Sequence, residues 1–309
     1  MNVPALKIED VTKKYEKHVA VDQISFEVPP GVLFGLLGPN GAGKTSTIRM
    51  ITGITLPDEG KIFLKGRRVD GSLTSGIGYL PEERGLYKKM TVGDHLMYLI
   101  RLRGFSSKEG RKKVDEWVDR FEIKDWWKKK IEELSKGMQQ KVQFIAAVMH
   151  DPDLLILDEP FTGLDPVNSN LIRDEIKRLS SEGKGIILST HRMEQVEELC
   201  EQIVLINHGK IVLKGVLQEI KDSYWENEYL LGTDRPFDQT NISNCEILGK
   251  TNKGLWRVRV ENQSETPQLI RSVLDSGVGL NHFEKSLPSL NDIFIKITGK
   301  SINEQHEEN

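Results

Sequence analysis

VLFGLLGPNGAGKTSTIRMITG, residues 32–53, decides how this chain folds. The apolar run VLFGLL reads as a strand, GPNGAGKT as a tight loop and TSTIRMITG as a helix. Strand, glycine-rich loop and helix in that order make a phosphate cradle. Gly38, Gly41 and Gly43 let the backbone curl so that successive N–H groups face one point, and Pro39, Asn40 and Ala42 complete the cradle. Lys44 supplies a point charge for β- and γ-phosphates, Thr45 a hydroxyl for Mg2+, and Ser46 a hydroxyl within reach of an α-phosphate.

Downstream, LLILDEP (residues 154–160) reads as a buried strand ending in two carboxylates. Asp158 is placed to hold the water shell of Mg2+, and Glu159 to orient or deprotonate an attacking water. The helical NSNLIRDEIKRLSSEG, the apolar GIILSTH and the helical RMEQVEELC follow in turn. Such alternation predicts a parallel sheet covered by helices on both faces. Ahead of it, ALKIEDVTKKY, VAVDQISFEV and VLFGLLG read as strands, with a turn at Pro29 to Gly31 between the last two. Between about 91 and 150 apolar residues recur at three and four, which predicts a helical insert. IVLINHGKIVLKG is expected to close the sheet as an edge hairpin turning at Asn207, His208 and Gly209.

Within the insert, LSKGMQQ (residues 134–140) places Ser135 as a helix N-cap, so free N–H groups, a hydroxyl and the positive end of a dipole leave one surface together. That surface wants an anion.

The texture changes near Tyr224, which sets expected domains of 1–223 and 224–300, with 301–309 as a tail. The second domain reads as a small α+β unit, with a hairpin turning around Asn252 to Gly254 and helical TPQLIRSVLDSG and PSLNDIFIKITG. The stretch 233–244 is polar and turn-rich. No metal cluster, nucleophile arrangement or basic aromatic stripe stands out there, so dimer support or regulation is its expected role.

Bulk properties narrow the function. A formal charge of −3 on 309 residues gives no global basic field, and no nucleic acid is expected as a partner. Cys200 and Cys245 are isolated, as in a reducing cytosol. No signal peptide and no run of about 18 apolar residues occur, so the chain is expected neither to be secreted nor to span a membrane by itself.

In their order along residues 5 to 220, these motifs resemble the nucleotide-binding domain of ATP-binding cassette (ABC) proteins. The resemblance implies an α/β fold: a P-loop NTPase core with an antiparallel β subdomain and a helical insert, plus the small α+β C-terminal domain. Lys44 and Asp158 then match the Walker A and Walker B residues, Glu159 the catalytic glutamate, and His191 the switch histidine that reaches the γ-phosphate. Tyr15 matches the aromatic that stacks on adenine, a loose form of base recognition under which some GTP use would not surprise. Ser135, Lys136 and Gly137 lie in the signature loop, and Asp165 in the loop Gly163-Leu164-Asp165 that crosses a dimer interface. ATP and Mg2+ are the implied cofactors. The implied partners are a second nucleotide-binding subunit, which completes two composite sites head to tail, and a separate transmembrane permease that holds the chain on the cytoplasmic face of the membrane.

GLYKKMTVGDHL and PSLNDIFIKITG resemble bacterial exporter-type members, including sodium and drug efflux ATPases, which points to export. A soluble ABC ATPase acting on ribosomes or DNA, or a regulatory ATP-binding module, is the alternative. Two departures stand out. Glu82 occupies a position where the family usually has glutamine; it adds negative charge beside the phosphates unless Arg84 or a permease residue compensates, and is expected to serve as a metal-side ligand that couples nucleotide state to the helical insert. Lys136 replaces a glycine, and its ammonium either approaches a partner's γ-phosphate or lies along the surface. Trp126 and Trp127 fit core packing of the insert better than a docking surface.

Overall fold

Three all-buried strands organise the first part of the chain: β3 (Leu33–Leu37), β7 (Leu154–Asp158) and β8 (Gly185–Thr190). In the computed structural model, described over residues 3–16, 18–70, 75–83, 85–235 and 245–299, they sit at the centre of a six-stranded sheet. Its order is β10-β9-β3-β8-β7-β6, completed by β6 (Ile77–Leu80), β9 (Gln202–Asn207) and β10 (Lys210–Val216). All neighbours are parallel except β10, which pairs antiparallel with β9 as the edge hairpin. Burial of a parallel strand on both faces explains why LLIL and IIL read as unbroken apolar runs.

The two faces are covered differently. On one, α6 (Met193–Leu199) and α4 (Lys136–Val148) come so close that a Cβ on Gly35 would lie 2.8 Å from Val196, and one on Gly78 would lie 2.2 Å from the Ala147 carbonyl oxygen. On the other, helices alone do not suffice. There α1 (Lys44–Ile51) shares a single apolar cluster with an antiparallel sheet of order β2-β1-β4-β5. That sheet is built from β1 (Leu6–Tyr15), β2 (His18–Val28), β4 (Glu59–Leu64) and β5 (Arg67–Arg68). Phe26 of β2 stacks on Phe34 of β3 with ring centroids 5.5 Å apart, and Ile48 and Ile51 fill the space beside them. The expected helical cover is present on both faces, and on this side the expected antiparallel subdomain joins α1, its N-terminal strands burying their apolar face against the core.

The helical insert is formed by α2 (Val92–Leu102), α3 (Ser107–Arg120) and α4, each with a hydroxyl cap: Thr91, Ser106 in a full capping box with Glu109, and Ser135. Trp126 and Trp127 are both half-buried, and Trp127 packs against α2. A Cβ on Gly93 would come within 2.2 Å of the Trp127 ring, and the Arg111 guanidinium lies 4.0 Å from the ring centroid on another side.

The chain divides into compact units between Leu217 and Gln218, ahead of the expected junction at 223/224. Leu217 still donates its N–H to the Glu201 carbonyl, whereas the rest of α7 (Leu217–Ser223) opens the second unit. That unit holds an antiparallel sheet of order β12-β13-β11-β14, made of β11 (Glu228–Thr233), β12 (Glu246–Lys250), β13 (Trp256–Arg259) and β14 (Leu280–Lys285). Helices α8 (Thr266–Asp275) and α9 (Leu290–Thr298) accompany it, and Tyr229, Leu231, Val258, Leu269 and Val273 form its separate core. Most of the polar stretch 233–244, the tail 301–309 and Arg84 lie outside the described residues.

Candidate functional site

The loop between β3 and α1 needs its glycines for close backbone approach. Gly38 has φ +148 and a Cβ there would lie 2.2 Å from the Ile206 carbonyl oxygen; Gly43 has φ +111 and a Cβ would lie 2.4 Å from that of Ala20. No side chain caps α1 at Gly43, in contrast to α2, α3 and α4, so its leading N–H groups are left for a ligand. Lys44 lies over the loop, its ammonium donating to the carbonyls of Gly38 at 2.6 Å and Pro39 at 2.9 Å. Burial lowers the pKa of that ammonium, against the pull of Asp158, Glu159 and Glu82.

These residues line a cleft of about 300 Å3 that brings together Asn40 to Ser46 with Tyr15, Glu82, Asp158, Glu159 and His191. Residues from five separate stretches of sequence thus meet at one place. Asp158, at the end of β7, is 6% exposed. Burial pushes its carboxyl up to about 6; Glu82 and Glu159 add to the shift and Lys44 opposes it.

Glu159 carries the backbone strain of the site. Its φ of +50 is left-handed, and it precedes Pro160, which further restricts it. Its N–H donates to the Ser189 carbonyl at 2.9 Å and its carbonyl accepts from Thr162 at 3.2 Å. One carboxylate oxygen accepts the Thr190 hydroxyl at 3.1 Å; the other accepts the His191 backbone N–H at 2.9 Å and His191 Nδ1–H at 2.6 Å. A carboxylate held this firmly, with an imidazole against it at the mouth of a phosphate cradle, can take a proton from water without first reorganising.

Tyr15 ends β1 half exposed, with the Lys13 ammonium 5.5 Å from its ring centroid. Opposite it in the hairpin stands His18, which also lines the cleft and was missed by sequence reasoning. Its signal is register: the residue paired with Tyr15 across a tight hairpin faces the same way.

The remaining expected site residues lie elsewhere. Ser135, Lys136, Gly137 and Asp165 are absent from the cleft lining. Ser135 accepts the Met138 N–H at 3.3 Å as the cap of α4, and Lys136 is exposed at its first position. Gly137 faces the loop after β7: a Cβ there would lie 3.6 Å from the Leu164 side chain. Asp165 caps α5 (Pro166–Ser181), accepting the Asn168 N–H at 3.0 Å, and that bond pulls its carboxyl below its ordinary range. The cleft and the surface at the start of α4 are therefore separate in the single chain.

Comparison with known proteins agrees with both halves of the chain. The ABC transporter family profile matches residues 21–162, and that of the "ATP-binding protein DrrA1-3-like, C-terminal domain" matches residues 215–298. The uncharacterized ABC transporter ATP-binding protein YhaQ of Bacillus subtilis (strain 168) is 44% identical, over 95% of this chain and 98% of its own length. The Nod factor export ATP-binding protein I of Sinorhizobium fredii (strain NBRC 101917 / NGR234) is 32% identical, over 96% of this chain and 87% of its own. Among solved structures, an ATP-binding subunit of an ABC transporter superposes with a TM-score of 0.67 at 30% identity, covering 71% of this chain and 93% of that one. Relatives spanning both units, and a fold that sets a phosphate cradle beside a strained Asp-Glu strand end, lead to one assignment: this chain belongs to the ATP-binding subunits of ABC transporters and hydrolyses ATP.

Proposed function

We propose that this subunit powers export by closing, with a second copy of itself, around two shared ATP molecules. The observation that carries this reading is the split just described: the cleft lacks the signature residues, and the start of α4 lacks a phosphate loop. A head-to-tail pair places Ser135 and Gly137 of each copy against ATP held in the other's cleft. Lys136, at the first position of the same helix, adds a positive charge on that side.

The donor set fits Mg2+. Three carboxylates, Glu82, Asp158 and Glu159, act on Lys44 in the cleft, and Asp158 is raised by burial and further by Glu82 and Glu159. Mg2+ is held by one or two carboxylates together with phosphates and water rather than by an all-protein cage. Thr45, Asp158 and Glu82 would hold it, and bound there it would supply positive charge to the phosphates. Glu159 accepts a proton from the attacking water as that water's oxygen bonds to the γ-phosphorus and the bond to the bridging oxygen of ADP breaks. His191, hydrogen-bonded to Glu159, keeps the carboxylate aimed at the water. Tyr15 stacks on the base.

No helix among the described residues is long and apolar enough to cross a membrane. A separate permease therefore supplies the path, and the subunit works at the cytoplasmic face of the membrane. Export is favoured by the likeness to the Nod factor export proteins and by the exporter-like stretches GLYKKMTVGDHL and PSLNDIFIKITG.

The test is the Glu159→Gln protein, which keeps its shape but takes no proton. At saturating Mg-ATP it is expected to double in mass by light scattering, whereas Lys44→Ala is expected to bind ATP weakly and stay monomeric. A monomeric Glu159→Gln protein at saturating ATP defeats the shared-site reading.

A further inference from the structure

Helix α4 carries two buried glutamines on one face, Gln140 and Gln143, each 5% exposed. Gln140 Nε2 donates to the Pro160 carbonyl at 3.0 Å, and Gln143 Nε2 donates to the Pro81 carbonyl at 2.8 Å. Pro160 follows Glu159, and the Pro81 carbonyl belongs to the peptide that leads into Glu82. One helix thus grips both loops that carry the cleft's acidic residues, while its N-terminus, at Ser135, is the surface assigned to the other ATP.

Stability alone does not account for these side chains. Gln143 Oε1 has no hydrogen-bond partner among the described residues, so the buried amide is only half satisfied and carries a desolvation penalty. Gln140 holds the loop just beyond the left-handed Glu159, a conformation that persists only where its surroundings over-determine it.

We propose that Gln140 and Gln143 are positioning residues that make α4 a strut. Engagement of a partner's ATP at Ser135 shifts the helix, and the two amides carry that shift to Glu159 and Glu82 of the same chain. The strut spans about 12 Å from Ser135 to Gln143, at roughly 1.5 Å per residue, short enough for a rigid helix to transmit displacement. This inference rests on the shared-site reading and adds to it that each site's chemistry is set by occupancy of the other.

The test uses the full chain with Gln140→Met, Gln143→Met and both together, reading Mg-ATP turnover, nucleotide affinity and thermal midpoint. The expected result is a kcat about tenfold lower in the double variant, as for misplaced catalytic groups. The Hill coefficient for ATP is expected to fall toward 1 with nucleotide affinity unchanged, while the thermal midpoint falls by a few degrees because the Pro160 and Pro81 carbonyls lose their donors. Parental turnover and Hill coefficient overturn the proposal. So does a joint fall in affinity, midpoint and kcat, which marks the glutamines as packing residues. The Glu159→Gln protein runs alongside: if it stays monomeric on ATP, the shared-site reading fails; if it dimerises while the methionine variants match the parent, only the strut fails.

Discussion

Asp158 ties the chemistry of the cleft to pH. Its folded pKa of about 6 stands above the ordinary 3.8, so the fold favours the protonated acid. The stability this supplies is full below about pH 4 and is lost as pH rises through 6; above that, an ionised carboxylate buried without ligand weakens the fold. At about 1.36 kcal/mol per pKa unit the difference is about 3 kcal/mol. Asp158→Asn, which abolishes the charge, is therefore expected to stabilise the ligand-free protein by about 1–3 kcal/mol at pH 7.5 and by almost nothing near pH 4, while Mg-ATP turnover disappears. Urea unfolding at the two pH values measures this, and an equal gain at both would refute the electrostatic account. At this scale the sequence is readable wherever chemistry is local. Gly43, Lys44, Asp158 and Glu159 follow from a strand meeting a loop, and all come to the cleft. His18, Gln140 and Gln143 were not legible, because a polar side chain acquires its role from a backbone carbonyl or strand partner distant in sequence.

Elements show the same division between local and tertiary causes. β3, β7 and β8 were legible because burial on both faces removes the polar half of the strand pattern. β6 was not assigned from sequence, since four residues are too few to show a period, and its Gly78 is explained only by the approach of α4. β14, reading LNHFEK, is mostly half exposed or exposed and gave no apolar run to find. What the N-terminal strands pack against was not legible, because a strand's alternation says that one face is buried and not what buries it. The Trp127 and Gly93 contact offers an element-scale prediction. Gly93→Ala sets a methyl group 2.2 Å from the indole, so the ring and the α2 backbone must separate, at a cost of about 1–3 kcal/mol. Thermal unfolding should register that as a lowered midpoint, relieved by adding Trp127→Leu. An unshifted Gly93→Ala midpoint would mean that the ring is not packed against α2.

On the scale of the whole molecule, the division at Leu217 separates a catalytic unit from a second unit with its own core. Every cleft residue, the α4 surface and both glutamines of the strut lie before that division. The similar solved ATP-binding subunit corresponds to 71% of this chain and is itself 93% covered, so a cassette of about this extent exists as a folded chain. A protein ending at Leu217 is thus expected to fold and to bind Mg-ATP with parental affinity, because a unit with its own core tolerates separation. What residues 218–299 add is then measurable by difference. In the Glu159→Gln background, the shortened chain should still dimerise on ATP, since the composite sites need nothing beyond Leu217. Light scattering across a protein concentration series reads this directly. An ATP-dependent dimer at the same midpoint assigns the second unit a role outside dimer closure, whereas loss of the dimer with ATP affinity intact makes residues 218–299 the part that holds two cassettes together.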